Sequence, residues 1–138
     1  MNRAISAAFL LVSSACVAET GFVEEALIGH YILVGKAVDS DHTYVGKVEV
    51  FATDGGLAVT RTINGTAAEG TAAVETALNG DAEVLRIRFA EAGVPFEETC
   101  LFRADLDNHA RISCYLYRPG VRTENPGLEV FFHDRTAE

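Results

Sequence analysis

The sequence predicts an all-β protein, a single antiparallel up-and-down barrel of about eight strands, with a β-sandwich as the second choice. Turn-forming residues recur every ten to fifteen residues, a spacing typical of consecutive strands joined by hairpins. The segments between these turns alternate in polarity and are rich in β-branched and aromatic residues. Strands do not alternate with helical patterns, which disfavours a parallel sheet. A meander of this size hides its edge strands best by closing on itself.

Eight strands are predicted between the turns. Their ranges are 27–38, 43–52, 56–64, 66–75, 82–90, 94–105, 109–118 and 127–132. The segment from Thr66 to Leu78 is rich in alanine and is the one segment with a case for a helix. Gly65 directly before it, Gly70 within it and its short length favour a strand.

Residue parity predicts which side chains face the interior, because neighbours on a strand point to opposite faces of the sheet. The predicted inward rows are Tyr44, Gly46, Val48 and Val50; Leu57, Val59, Arg61 and Ile63; Leu85, Ile87 and Phe89; Val94, Phe96, Glu98, Cys100, Phe102 and Ala104; and Ala110, Ile112, Cys114 and Leu116. Arg86 and Arg88 are expected to face outward. Three charged residues interrupt the apolar interior, namely Arg61, Glu98 and Arg118.

The first 18 residues, MNRAISAAFLLVSSACVA, have the anatomy of a secretory signal peptide. Arg3 supplies the positive charge, residues 4–12 form the apolar stretch, and Cys16-Val17-Ala18 resembles a cleavage site. We therefore expect export to the periplasm or the extracellular space, with residues 19–138 as a single domain. The alternatives are a buried N-terminal helix and a lipoprotein whose lipid is attached to Cys16.

The predicted mature chain is strongly acidic. Without Arg3 it carries ten Lys and Arg against twenty Asp and Glu, a formal net charge of −10. Such a surface repels nucleic acids and anionic membranes. No segment after the leader is long and apolar enough for a membrane span. We expect neither a nucleic-acid partner nor a membrane span.

Two cysteines remain in the predicted mature chain. A hairpin centred on Asp107 places Cys100 directly opposite Cys114, with both side chains facing inward. Directly opposed Cβ atoms lie about 4.5–5.5 Å apart, a distance that local twist can reduce to disulfide spacing. Because disulfides persist in exported proteins, we predict this bond, with free buried thiols as the alternative. A metal or redox role is disfavoured, since the sequence has no Cys-x-x-Cys motif and no histidine at a zinc-ligand spacing.

Motifs for catalysis are absent from the sequence. It has no Gly-x-Ser-x-Gly elbow, no Gly-x-x-x-x-Gly-Lys loop and no His-Glu-x-x-His helix. We therefore predict a protein that is not an enzyme and that uses no cofactor or metal. The hairpin tip Asp105–His109 is a minor candidate for a cation site or for catalysis, although a turn needs the same residue types. The stretch DSDHTYVG from Asp39 matches a calcium loop only at its first two acidic positions.

Arg61 is the most informative of the inward charges, because a charge that faces a small core must be paired or hydrated. One interpretation is a structural pair with Glu98. The other is an anchor for the carboxylate or polar head of a ligand at the barrel mouth. Arg118 and Tyr31 form a second candidate, an arginine stacked on an aromatic ring where the barrel closes. The candidate ligand-binding residues are therefore Tyr31, Arg61, Glu98 and Arg118.

Two phrases, GHYILVG at Gly29 and YVGKVEV at Tyr44, followed by a meander of short hairpins, resemble the calycin superfamily of lipocalin-like barrels. Arg118 looks like the arginine that packs over the opening aromatic residue in that superfamily. Tyr31 stands where a tryptophan is usual there, and no C-terminal helix is evident after the barrel. The resemblance implies a binding protein that carries a small molecule or plugs a partner enzyme.

The leading hypothesis is an exported, disulfide-linked barrel that binds a small apolar or amphipathic ligand at its mouth. Arg61 and Tyr31 are expected nearest the polar end of that ligand. The alternative is an acidic interaction protein, of the inhibitor or immunity type, that binds a secreted basic enzyme through its surface.

Overall fold

The computed structural model describes residues 21–102 and 110–137, which form one closed antiparallel β-barrel. The predicted leader, residues 1–18, lies outside the described residues. A short helix, α1 (Phe22–Glu25), precedes the barrel. The strands are β1 (Gly29–Lys36), β2 (Thr43–Thr53), β3 (Gly56–Ile63), β4 (Thr66–Ala77), β5 (Ala82–Glu91), β6 (Val94–Leu101), β7 (Ala110–Tyr117) and β8 (Gly127–His133). Within the described ranges, no helix is long and apolar enough to cross a membrane.

Each strand pairs with its neighbours in the sequence, and β1 closes the barrel by pairing with β8. Leu33 lies opposite Phe131 across this seam, and both side chains are fully buried. The predicted up-and-down barrel is confirmed, and the sandwich is not formed. The alanine-rich segment is the strand β4, as predicted, because its inward side chains are needed to cover the core between β3 and β5.

Where the structure describes the side chains, the core follows the predicted parity; Ala104 of the predicted inward row lies outside the described residues. Its buried apolar side chains on the strands are Tyr31, Leu33, Val48, Val50, Leu57, Val59, Ala68, Ala72, Leu85, Ile87, Phe89, Cys100, Ile112, Cys114, Leu116 and Phe131. On the outer face, Arg86 and Arg88 of β5 both form salt bridges to Glu75 of β4 and Glu97 of β6. These pairs join three adjacent strands outside the core.

Two glycines permit the close approach of neighbouring strands. A Cβ atom on Gly70 would lie 2.3 Å from the carbonyl oxygen of Arg88, and one on Gly46 would lie 2.5 Å from that of Thr62. Real Cβ atoms do not approach backbone oxygens so closely. The curvature of the barrel at these two positions therefore depends on glycine.

The disulfide is formed as predicted. Cys100 of β6 and Cys114 of β7 are directly opposed in the register, with Cα atoms 4.0 Å apart. The two sulfurs also lie near a carboxylate oxygen of Glu98, a grouping that resembles a metal-binding set. Because both sulfurs are in the disulfide, neither is available as a thiolate ligand.

The barrel has two different ends. The α1 end comprises α1 and the starts of the odd-numbered strands, where Tyr31 donates a hydrogen bond of 2.8 Å to the carbonyl oxygen of Leu27. The cavity end comprises the ends of the odd-numbered strands and the loops that follow them. Those loops are 37–42, 64–65, 92–93 and 118–126.

Candidate functional site: a cavity beside a buried arginine

A cavity of about 650 Å³ opens at the cavity end of the barrel. Its apolar wall includes Val38, Ile63, Ala68, Phe89, Val94, Phe96 and Leu116. Its polar side chains include His42, Tyr44, Arg61, Asn64, Glu91 and Arg118. Both the volume and the mixture of an apolar wall with a few polar groups are typical of small-molecule binding sites.

Arg61 projects inward from β3 and is only 1% exposed, although it contributes to the cavity wall. Its guanidinium donates hydrogen bonds to Glu91 at the end of β5 and to Glu129 on β8. Its Nε lies 3.4 Å from Oε1 of Glu98 on β6, within ion-pair distance. The structure thus places Glu98 beside Arg61 and adds two carboxylates that the sequence analysis did not identify.

Aromatic side chains orient this cluster. The guanidinium carbon of Arg61 lies 3.9 Å from the centre of the Phe89 ring, a cation–π arrangement. The Phe89 ring stacks on that of Phe96, with centroids 5.6 Å apart. Tyr44 of β2 donates a hydrogen bond of 2.5 Å to Oε1 of Glu129. The arginine is therefore held by contacts from several strands.

Burial controls the protonation of this cluster. Burial, followed by the charge of Glu129, raises the pKa of Glu98 well above its ordinary value, and the opposing effect of Arg61 does not cancel this. Burial would lower the pKa of Arg61, but the carboxylates of Glu129, Glu98 and Glu91 outweigh it and raise that pKa. Arg61 is therefore charged while Glu98 favours its neutral form.

A neutral Glu98 also explains two oxygens that otherwise lack partners. Oε1 of Glu98 and Oε2 of Glu129 are buried, and neither forms a hydrogen bond as a carboxylate oxygen. A protonated Glu98 donates a hydrogen bond to Glu129, an interaction that itself contributes to the raised pKa of Glu98. Buried polar groups are rarely left unpaired, so a proton on Glu98 is consistent with its contact with Glu129.

Tyr31 is not part of the cavity. It lies at the α1 end, where its ring packs against those of Phe131 and His133. The structure therefore does not bring Tyr31 and Arg61 together in this cavity, and a role for Tyr31 in ligand binding stays a prediction. Its ring and hydroxyl contact residues at the α1 end, where Tyr31 also lines a smaller pocket with Leu27 and Ile112.

Arg118 lines the cavity, but it does not stack on Tyr31 as predicted. Arg118 follows the end of β7 at the cavity end, whereas Tyr31 lies near the start of β1. Because β1 and β7 run in the same direction in an up-and-down barrel, these two positions are at opposite ends. Arg118 instead lies 3.8 Å from a carboxylate oxygen of Asp39.

Asp39 has a structural role at the rim of the cavity. Its Oδ1 accepts hydrogen bonds from the backbone N–H groups of Glu124 and Asn125, at 3.0 and 2.7 Å. These bonds hold the loop 118–126 over the cavity end. Asp39 is thus engaged by that loop. The other candidate tip, Asp105–His109, lies outside the described residues.

The sequence analysis did not identify Glu129 or Glu91 as site residues, and the reason differs between the two. In β8 the outward row, Leu128, Val130 and Phe132, is more apolar than the inward row that contains Glu129. A hydrophobicity pattern alone favours the wrong face of this strand. Glu91 continues the inward row of Leu85, Ile87 and Phe89, so parity is the signal that could have found it; that row was ended at Phe89.

Comparison with known protein families and with curated proteins finds no match for this chain in either set. The closed eight-stranded antiparallel barrel is compatible with a calycin-like fold. A shared fold does not by itself assign a function, so the chemistry of the cavity carries the functional argument.

Proposed function

We propose that this protein is an exported, calycin-like barrel that binds a small amphipathic molecule in the cavity and catalyses no reaction. The observation that carries the proposal is the cavity of about 650 Å³, whose apolar wall meets a polar cluster at Arg61, Glu91 and Tyr44. The apolar part of a ligand would contact side chains such as Phe96 and Leu116, and its polar end would face the cluster.

The contacts of Arg61 disfavour its expected role as an anchor for a ligand carboxylate. Arg61 was a candidate anchor for a ligand carboxylate, but it already faces Glu91, Glu98 and Glu129. A ligand carboxylate would have to displace one of them. Arg61 is better described as the residue that organises the polar end of the cavity than as a free anchor.

The proposed export and family have separate support. Export is supported by the signal-like residues 1–18 and by the Cys100–Cys114 disulfide, a bond that persists in oxidising compartments. Membership of the calycin superfamily is supported by the opening Gly29-His30-Tyr31 and by the meander topology.

The proposal is tested with N-phenyl-1-naphthylamine, a neutral apolar dye that fluoresces when it leaves water. We expect the wild-type protein to bind the dye at a single site. Ala68→Phe places a ring in the cavity, since Ala68 is buried and lines it, and we expect dye affinity to fall at least about tenfold. Ala58→Phe is the matched control, because Ala58 lies on the outward row of β3.

Equal loss in the two alanine variants, or dye binding that survives Ala68→Phe, would contradict the cavity as the binding site. Circular dichroism of both variants establishes that each remains folded. A wild-type protein that binds no dye would contradict the proposed function itself.

The second candidate function is an interaction protein that contacts a secreted enzyme through its surface. An apolar stripe on the outer face of the barrel favours it. The exposed side chains of the stripe are Ile32, Val34, Val45, Leu101, Tyr115 and Leu128. Contiguous apolar patches of this kind often mark protein contacts. Under this alternative, Ala68→Phe would leave partner affinity unchanged, because that substitution is inside the barrel.

A further inference from the structure

The polar end of the cavity contains more negative than positive charge. Arg61 faces three glutamates, and even with Glu98 neutral two carboxylates share one guanidinium. The other arginine of the cavity wall, Arg118, lies within ion-pair distance of Asp39 at the rim. The cluster therefore retains a negative charge, and charge interactions are strong at its buried members, Arg61, Glu98 and Glu129.

Glu91 is the carboxylate of this cluster that a ligand can reach. Its side chain is 43% exposed and lines the cavity, whereas Glu98 and Glu129 are fully buried behind the guanidinium. Arg61 engages Oε1 of Glu91. Among residues 21–102 and 110–137, no hydrogen bond is formed to the second oxygen of Glu91, Oε2.

Aromatic rings flank the same space. Tyr44, Phe96 and His42 all line the cavity, and the stacked pair of Phe89 and Phe96 already supports one cation, the guanidinium of Arg61. Aromatic faces attract ammonium groups as well as guanidinium groups, because the ring quadrupole presents negative charge to either. A carboxylate beside aromatic rings is the combination that recognises an organic cation.

We infer that the cavity selects an amphipathic cation, an alkylammonium-type molecule whose charged group lies against Glu91 and whose chain lies along the apolar wall. This inference rests on the proposed function. An anionic amphiphile would add negative charge to a cluster that already has an excess, and would have to displace a carboxylate from Arg61. A neutral amphiphile would leave the excess charge uncompensated.

The experiment compares three probes of equal chain length, decylamine, decanol and decanoate, by displacement of N-phenyl-1-naphthylamine from the full chain. At neutral pH and near-physiological salt, about 0.15 M, long-range attraction to the acidic surface is largely screened. We expect decylamine to displace the dye at a concentration about tenfold lower than decanol, because a hydrogen bond to a charged group is stronger than one between neutral groups. We expect decanoate to be the weakest of the three. Displacement by decanoate at the same concentration as decylamine, or at a lower one, would overturn the inference.

Two matched variants test whether Glu91 is responsible for the preference for decylamine over decanol. Glu91→Gln removes the accessible carboxylate, and we expect the ratio of decylamine to decanol affinity to fall about tenfold. Glu69→Gln makes the same change of net charge on the outward row of β4, and we expect it to leave that ratio as in the wild type. An unchanged ratio in Glu91→Gln would overturn the inference while dye binding still supports the proposed function. Absence of dye binding in the wild type would overturn both.

Discussion

Arg61 is compensated only when the barrel is closed. Its partners Glu91, Glu98 and Glu129 come from β5, β6 and β8, and the arginine itself comes from β3. Burying such a group is costly, so it stabilises the fold only while its geometry is complete. Loss of the arginine would leave the buried carboxylate of Glu129 without its counter-charge.

We predict that Arg61→Met destabilises the protein strongly. The expected loss in the free energy of unfolding is about 3–5 kcal/mol, because removing one member of a buried ion pair leaves an uncompensated buried charge. Arg88→Met is the matched control, since Arg88 is 48% exposed and pairs with Glu75 and Glu97 on the outer face. For this exposed pair the expected loss is about 1 kcal/mol or less. Urea unfolding followed by circular dichroism measures both, and similar losses would contradict the role assigned to Arg61.

The raised pKa of Glu98 predicts a specific dependence of stability on pH. A carboxyl whose pKa is higher in the folded state contributes stability that is complete below its unfolded value, 4.5, and is lost as the pH rises through the folded value. Glu98→Gln keeps a neutral donor at this position and removes the titration. We therefore expect the wild type to become less stable relative to Glu98→Gln as the pH rises from about 5 to about 8.

Urea unfolding of both proteins at the two pH values measures this effect, because contributions from other titrating groups cancel in the difference. The same stability difference at both pH values would mean that Glu98 titrates normally in the folded state.

Much of the polar cluster follows from residue parity, and part of it does not. Parity turned Arg61 and Glu98 inward, and both are buried. Glu129 could not be predicted in the same way, because the outward row of β8 is the more apolar one. The reason lies in the outer surface, where Leu128 belongs to an exposed apolar stripe. A pattern of hydrophobicity reports burial only when the outside of the sheet is polar.

At the scale of elements, the turn residues were the signal from which the number and the bounds of the strands could be predicted. Asp54-Gly55-Gly56 and Asn64-Gly65 separate β2, β3 and β4 close to the expected positions. The pairing of β1 with β8 could not be derived from local patterns, because it joins the two ends of the barrel segment. The predicted stack of Arg118 on Tyr31 failed for a related reason, since it assumed that the two residues lie at the same end of the barrel.

The disulfide gives a prediction at the element scale. It joins β6 to β7 across a sequence separation of 14 residues. Replacing Cys100 and Cys114 together by alanine removes this constraint on the unfolded chain, and we expect a loss of about 3 kcal/mol in the free energy of unfolding. Urea unfolding with and without a reductant measures it. The reductant should destabilise the wild type and leave the double variant unchanged, and a wild type that does not respond would contradict a stabilising role for this bond.

At the scale of the whole molecule, the barrel offers two different surfaces for binding. The inner one is the cavity, with its apolar wall and the polar cluster at Arg61. The outer one is the apolar stripe on the far side of the same strands, exemplified by Val34 and Val45. Closure separates the two surfaces, so a ligand or a partner that uses one does not contact the other.

The most direct test of the central claim is therefore a map of where a small molecule binds. Methyl NMR spectra of the full chain, recorded during titration with N-phenyl-1-naphthylamine, distinguish the inner from the outer surface. We predict saturable shifts for Ala68, Ile63 and Leu116, which line the cavity, while Val34 and Val45 on the outer stripe stay unchanged. Shifts confined to the outer stripe, or no saturable shifts in the cavity methyl groups, would contradict a binding site inside the barrel.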